Sequence, residues 1–464
     1  MRLKRFTVSE QRKRTVYKTN CLCIAGAAVR RALESFRMDV LTRRRVLTHA
    51  GQGILAASAL DLAASSAEAA PQQASREQIT QSQRDIKLPQ LSAPTEKQPP
   101  PPPKPLPPSA RVGYAIIGLG TLSVNEILPA FGECKMSRPV ALVSGERDKA
   151  LTLAAQYGIN PQNVYDYKSM DRLRDNPDVQ AVYIVLPNGQ HEEFTVRSAQ
   201  LGKHVLCEKP MANSSAEARR MISACAQANR KLMIAYRIQY EPYNREVRRL
   251  LRSGELGPVK LIQGHNGQNQ GDPNQWRQKK ALAGGGALPD IGLYCLNTSR
   301  FLLGEEPIAI QGSIYSTPGD PRFTEVEENC LWQMLFPSGV QASFMTGYGH
   351  HESRRYRALL DRGWVNMDAA FAYRGQKLQI ARADGQTERV EERQLNAKNQ
   401  FAAEMDHFSD CVLNNKMPFT PGEEGLQDQI LMEAIYESAR TNKTVTLPRV
   451  EKKDAFRGPE PTEA

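Results

Sequence analysis

Long apolar runs are missing from this sequence. No stretch reaches the roughly 18 apolar residues that cross a bilayer as a helix, so no stable helical membrane span is expected. Paired cysteines are missing too. Of the eight cysteines, Cys21 and Cys23 lie near the start, and Cys134, Cys207, Cys225, Cys295, Cys330 and Cys411 are scattered singly. Without a C-x-x-C pair or a His-rich spacing, no metal site is expected. Buried free thiols are the plain reading. Cys207 sits beside Glu208 and Lys209, where a reactive thiolate is conceivable, but its apolar strand favours packing. A basic body is the third absence. The net charge is +11, yet Met1–Ala69 carries 13 basic and five acidic residues, a net +8 that leaves +3 for the remainder. No basic stripe awaits a phosphate backbone, so nucleic acid is not an expected partner. The 464 residues, 40% apolar, can build two domains with sizeable cores.

The front of the chain divides into three parts. Residues 38–69 hold Arg43-Arg44-Arg45, an Ala-rich apolar run from Gly51 to Ala64, and Ala67-Glu68-Ala69. A charged region, an apolar region and an A-x-A end make an export signal. The paired arginines and modest hydrophobicity point to the twin-arginine machinery, which exports folded proteins and implies a periplasmic location. The competing reading is a chance RRR ahead of a surface helix. Residues 1–37 precede this pattern. Met38 would give a signal of ordinary length, so they read as an over-extended start or a cytoplasmic extension. Residues 70–110 are polar and then proline-rich, with five prolines at Pro99–Pro103. Such a segment favours extended polyproline II. It is a spacer or an arm laid across the body or a neighbouring subunit.

Residues 111–237 read as a dinucleotide-binding domain. Tyr114–Ile117 is an apolar strand, Gly118-Leu119-Gly120-Thr121-Leu122-Ser123 a glycine turn, and Ile127, Leu128 and Phe131 mark a helix. The first glycine permits the turn and the second lets backbone approach a pyrophosphate resting on the helix N-terminus. Ser123 stands where Gly or Ala is usual and is small enough for close packing. Strand before and helix after is the context that gives this motif weight. A second strand, Pro139–Val143, ends at Ser144, with Arg147 and Lys149 close behind. A hydroxyl and cations suit a 2′-phosphate and favour NADP. Glu146 and Asp148 argue the other way, unless they are solvated helix-start residues. Strands Val164–Tyr167, Ala181–Leu186, His204–Leu206 and Leu232–Tyr236 follow, and this alternation implies a parallel sheet. Leu186, Pro187 and Asn188, after the fourth strand, should line the crevice beyond the strand ends. His191 is a helix cap or a ligand contact. Cys207-Glu208-Lys209-Pro210 leaves the fifth strand, with Glu208 placed to pair with or position Lys209.

YAIIGLG, ALVSG, YIVLPN, HVLCEKPM and AGGGALPDIGLY in this order resemble the glucose–fructose oxidoreductase, inositol dehydrogenase and MocA family, from about Arg111 to Val445. Trp276–Tyr294, WRQKKALAGGGALPDIGLY, points to its glucose–fructose subgroup. The resemblance implies an α/β Rossmann domain followed, over residues 238–445, by an α+β domain with a large, open, mostly antiparallel sheet that serves substrate binding and oligomerisation. A last helix would return to the first domain, and 446–464 would be a tail. Leu331–Phe336 and Ala342–Met345 read as strands, Phe401–Leu413 and Gln427–Thr441 as helices. A homo-oligomer, dimer or tetramer, is implied.

The resemblance also assigns roles. Lys209 would touch cofactor and substrate, Tyr294 would be the general base in oxidation and the acid in reduction, and Asp290 would orient substrate or base. A tyrosine with pKa near 10 needs a nearby cation to act as a base, which Lys209 would supply. Without the resemblance, Asp290 and Tyr294 are as well a helix cap and a packed aromatic. Ser144, Lys149 and Tyr167 fall at the 2′-phosphate region, Trp276 and Arg277 over the cofactor, and Arg237 and Tyr348 also carry over as cofactor contacts. Thr121 stands where the subgroup's best-known member has lysine, which removes one phosphate-directed cation. The expected protein is a periplasmic oxidoreductase with tightly bound NADP that oxidises an aldose to its lactone and passes the hydride to a second sugar. A sugar dehydrogenase or reductase that releases its cofactor, and a non-catalytic sugar or NADP sensor, are the alternatives.

Overall fold

The computed structural model describes residues 106–461, all in the unit Pro100–Ala464. The expected extension (1–37), export signal (38–69), Cys21 and Cys23, and the arm as far as residue 105 lie outside the described residues.

The first sheet has six strands: β1 (Val112–Ile117), β2 (Ser137–Val143), β3 (Val164–Tyr165), β4 (Ala181–Ile184), β5 (His204–Glu208) and β6 (Leu232–Ala235). Their order is β3-β2-β1-β4-β5-β6, and every pair is parallel. β1 is buried along its whole length, as a central strand covered on both faces must be. The order reverses between β1 and β4, so a crevice opens beyond their carboxyl ends. Ile117 pairs with Val143 on one side and Ile184 on the other, which brings the exits at Gly118, Ser144 and Val185 to one level.

The second sheet has nine strands: β7 (Val259–Asn269), β8 (Ala309–Tyr315), β9 (Asn329–Leu335), β10 (Gln341–Gly347), β11 (Gly349–Leu360), β12 (Gly363–Asp368), β13 (Lys377–Asp384), β14 (Thr387–Arg393) and β15 (Val445–Thr446). The order is β14-β13-β12-β11-β7-β10-β9-β8-β15. Only β7–β10 is parallel among its pairs. The burial of β9 alternates strictly, as befits a sheet with one face on the core and one open. Ile314, Tyr315, Leu331 and Met345 are exposed on these strands.

Two late helices tie the domains together. Gln400–Leu413 returns to the first sheet, where the Tyr114 hydroxyl donates to the Met405 carbonyl at 3.1 Å and Asp406 accepts the Lys135 and Met136 amides at 2.6 and 2.9 Å. Gly422–Thr441 lies against both the helix Ser215–Gln227 and β8. The segment 446–464, expected as a tail, is anchored where it is described. Val445–Thr446 adds an edge strand, and the buried Arg457 guanidinium donates to Glu424 at 2.5 Å. Glu424 also accepts from Arg300, whose other donors go to Glu306 and Asp428. Each carboxylate of this buried cluster accepts from a guanidinium, as buried charges must.

Candidate active site

A cleft of about 680 Å³ opens at the crevice between the domains, within the range of ligand sites. Its floor is the glycine turn. Gly118 has φ +95°, and a Cβ there would collide with the Val185 carbonyl. At Gly120 nothing lies within 4 Å of the place a Cβ would take, so the turn leaves open room where a phosphate can approach backbone. Ser123 is buried and donates to the Gly118 carbonyl at 2.6 Å, which accounts for a hydroxyl in place of the third glycine. These residues fit a dinucleotide. Leu119, Thr121 and Leu122 complete this wall, and Leu186, Pro187 and Asn188 the next. Asn188 donates to the Ala283 carbonyl at 2.8 Å, fastening the fourth strand's exit to the second domain.

One end of the cleft is lined by Ser144, Gly145, Glu146, Lys149 and Tyr167. Ser144 Oγ accepts the Glu146 amide at 3.1 Å, and Lys149 pairs with Glu146 at 2.5 Å. Glu146 therefore stands at the rim with Lys149 engaged on it. Arg147 is exposed at the start of its helix, outside the lining.

The other end holds Glu208, Lys209, Arg237, Trp276, Arg277, Asp290 and Tyr294. β5 runs through Glu208, so Lys209 is the first residue past the strand. Its ammonium donates to the Asp290 carbonyl at 2.5 Å, lies 3.6 Å from Asp290 Oδ1, and sits 4.6 Å from the centre of the Tyr294 ring. Asp290 lies in a widened turn, Leu288–Gly292, that feeds directly into the helix Leu293–Leu303 carrying Tyr294. Asp290 Oδ2 accepts from Arg277 at 3.0 Å and from the Tyr348 hydroxyl at 2.7 Å. Burial by itself would raise the Asp290 carboxyl, but Arg277 and Lys209 outweigh it and hold the group at about 2. Asp290 is thus an anion at any working pH.

Lys209 was the expected cation for Tyr294; Arg237 takes that place at the hydroxyl. Its Nε and Nη2 reach the phenol oxygen at 3.1 and 2.9 Å, a bidentate fork that only guanidinium supplies. Arg237 is itself fixed by the Gln400 amide oxygen at 2.5 Å and the Phe371 carbonyl at 2.8 Å. With its oxygen accepting from Arg237, Tyr294 must turn its own proton away from the guanidinium. Burial pushes the phenol above its usual range and Arg237 opposes that. At rest Tyr294 is a proton donor.

Two expected cofactor contacts lie behind the lining. Tyr348 is fully buried, and its hydroxyl donates to Asp290. His191 is fully buried, its ring nitrogens 2.8 Å from the Pro210 carbonyl and 2.9 Å from that of Leu186, so it ties two strand exits together. The six described cysteines are free and buried, and burial pushes the Cys207 thiol up, which argues against a thiolate. The sequence carried no local signal for Asn266, Gln268 and Arg354, which the second sheet brings to the cleft. Nor did it for Phe371, Tyr373 and Phe401, which wall in Arg237 and Tyr294.

Two family models match the chain: an oxidoreductase family with an NAD-binding Rossmann fold over residues 112–236, and the GFO/IDH/MocA C-terminal domain over residues 244–366. A D-xylose 1-dehydrogenase [NADP(+)] from Haloarcula marismortui is 33% identical over 72% of this chain and 93% of its own length. A dTDP-3,4-didehydro-2,6-dideoxy-α-D-glucose 3-reductase from Saccharopolyspora spinosa is 28% identical over 72% of this chain and 99% of its own. Among solved structures, an aldose–aldose oxidoreductase from Caulobacter crescentus complexed with glycerol is 46% identical, with a TM-score of 0.70, over 73% of this chain and all of its own.

Proposed function

The chain belongs to the GFO/IDH/MocA oxidoreductase family and is a sugar oxidoreductase with an NAD(P)-binding Rossmann domain; from that premise we propose that it is an exported, NADP-retaining aldose oxidoreductase. It would oxidise an aldose at C1 to its lactone and reduce a second sugar, a ketose or another aldose, in the same cleft. A nicotinamide bound there supplies hydride acceptance and donation. The glycine turn and Leu186–Asn188 would hold it, with Ser144, Lys149 and Tyr167 at its phosphate-bearing end and Trp276 and Arg277 over it.

The observation that carries this reading is the Lys209–Asp290–Tyr294–Arg237 group, set in one cleft with the glycine turn. Lys209 and Asp290 orient the sugar hydroxyl. Tyr294 as the phenolate takes its proton during oxidation and as the phenol returns one during reduction, and Arg237 stabilises the phenolate that precedes oxidation and follows reduction. The 46% identity to an aldose–aldose oxidoreductase supports a second sugar as acceptor. The charged, apolar and A-x-A order of residues 38–69 supports an export signal and a periplasmic location. A retained cofactor makes sense there, because free nucleotide is scarce outside the cytoplasm. The exposed apolar residues of β8, β9 and β10 support a homo-oligomer.

A second reading, an NADP-dependent sugar dehydrogenase that releases its cofactor, is favoured by two observations. Thr121 puts no cation at the glycine turn, and Lys149 is already paired with Glu146. One experiment separates the two. Protein purified without added nucleotide is denatured and its supernatant assayed for nicotinamide nucleotide. Near-stoichiometric NADP is expected. No nucleotide would favour the cofactor-releasing dehydrogenase, and NAD would reverse the reading of Ser144 and Lys149.

A further inference from the structure

A pair of acidic residues lies under the strand end that carries Lys209. The Tyr183 hydroxyl, fully buried on β4, is 2.8 Å from Glu208 Oε1 and 3.2 Å from Glu404 Oε1. Glu404 comes from the returning helix Gln400–Leu413 and is 0% exposed. Its second oxygen has no hydrogen-bond partner among the described residues. A tyrosine hydroxyl carries one proton and can donate to one of these carboxylates only. The shorter contact gives that proton to Glu208, whose Oε2 also accepts the Lys209 amide at 3.2 Å. The Glu404 contact is then a hydrogen bond only if Glu404 brings a proton of its own.

The charges around the pair agree with that count. Lys209 and Arg237 face Glu208. Arg237 also faces Glu404, but its N–H groups go to Tyr294, Gln400 and Phe371. Tyr240 faces Glu404 as well. No ion pair to Glu404 occurs among the described residues. Two adjacent buried carboxylates without a cation for each cannot both ionise cheaply.

We propose that Glu404 is a neutral acid in the folded protein, donating to Tyr183 and through it to Glu208, and that this three-membered chain positions the Glu208–Lys209 strand end. Burial, together with the neighbouring Glu208 charge, pushes the Glu404 carboxyl well above its ordinary range, consistent with this count. The pair then presents one negative charge toward Lys209 and Tyr294. A second would hold the Tyr294 phenol still higher, since Glu208 already raises it. The protonation itself is independent of the reaction proposed above; only its effect on turnover rests on that reading.

The test uses two readouts that do not involve turnover. Infrared spectra at neutral pH should show a carboxylic-acid carbonyl band that Glu404→Gln removes. In thermal melts, wild type should lose stability relative to Glu404→Gln as pH rises from the unfolded glutamate value, about 4.3, through the raised folded value. A raised folded pKa is stabilising only while the group stays protonated. An acid band that survives the substitution, or a melting difference flat with pH, overturns the proposal. If Glu404→Gln fails to fold, Tyr183→Phe must shift the band in its place, and an unmoved band counts against the chain. For positioning, Glu404→Leu should lower kcat on the order of tenfold, with Glu404→Gln restoring most of it. Equal losses in both would remove the positioning role while leaving the protonation standing.

Discussion

The two ends of the cleft are built differently. At the Tyr294 end, Lys209 and Asp290 have side chains only 10% and 13% exposed, and each polar group is held from two or more directions. At the Ser144 end, Lys149 and Glu146 are 37% and 72% exposed and hold mainly each other. One end is fixed before any ligand arrives and the other is left to adjust. Preorganised charge is worth most where charge develops during reaction, in a site that excludes water. Exposed pairs contribute little to stability and are screened by salt. The rate should therefore depend on the first end and the choice of nucleotide on the second. Substitutions at either end test that division.

The largest effect is expected from Tyr294→Phe. Removing the hydroxyl that Arg237 holds toward the cleft should lower kcat by about 10²–10⁴-fold, with nucleotide content unchanged on denaturation. If more than a tenth of the turnover survives, the proton is moved by another group. Arg237→Lys should come next, at about 10²-fold, because an ammonium cannot reproduce the fork onto the phenol oxygen. Its signature is the pH profile. Arg237 lowers the Tyr294 pKa against burial. Oxidation, which needs the phenolate, should therefore rise with pH in both proteins, and the rise should lie at higher pH in the variant. A uniform loss with an unmoved limb would make Arg237 a packing residue.

The first domain and most residues that line the cleft were legible in the sequence; their pairings were not. A strand, a glycine turn and a helix within twenty residues form a local pattern, and local patterns survive in sequence. Lys209, Asp290 and Tyr294 were reached through resemblance, since nothing in D-I-G-L-Y alone distinguishes a proton donor from a packed aromatic. Lys209 was assigned as the cation a tyrosine base needs, whereas Arg237 holds the hydroxyl. The fork from Arg237 depends on Gln400, 163 positions away, and on a helix whose own pattern does not name the sheet it covers. The same reason hid Glu404; Tyr348, carried over from the resemblance as a cofactor contact, donates to Asp290. Strand ends were off by a residue or two in both directions: the third, fourth and sixth strands stop before their expected ends, and the fifth runs on. Leu206 was taken as the last strand residue, but Cys207 and Glu208 still pair with β6.

The smallest effects belong to the Ser144 end, and they decide which cofactor is used. Glu146 and Lys149 offer opposite recognitions: a carboxylate accepts from ribose hydroxyls, while an ammonium attracts a 2′-phosphate. In this structure the two neutralise each other across 2.5 Å. A 2′-phosphate at the rim would have to draw Lys149 away from Glu146, and the exposed pair resists weakly. Lys149→Ala should weaken NADP binding by about three- to tenfold and leave NAD nearly unchanged. Glu146→Gln frees the lysine and should move affinity the other way, toward NADP, by a similar factor. Titration of both nucleotides onto cofactor-stripped protein at two salt concentrations measures this, and the difference should shrink at high salt. If neither substitution changes the ratio, the exposed Arg147 becomes the cation to remove next, because it can swing to the rim without breaking a contact shown here.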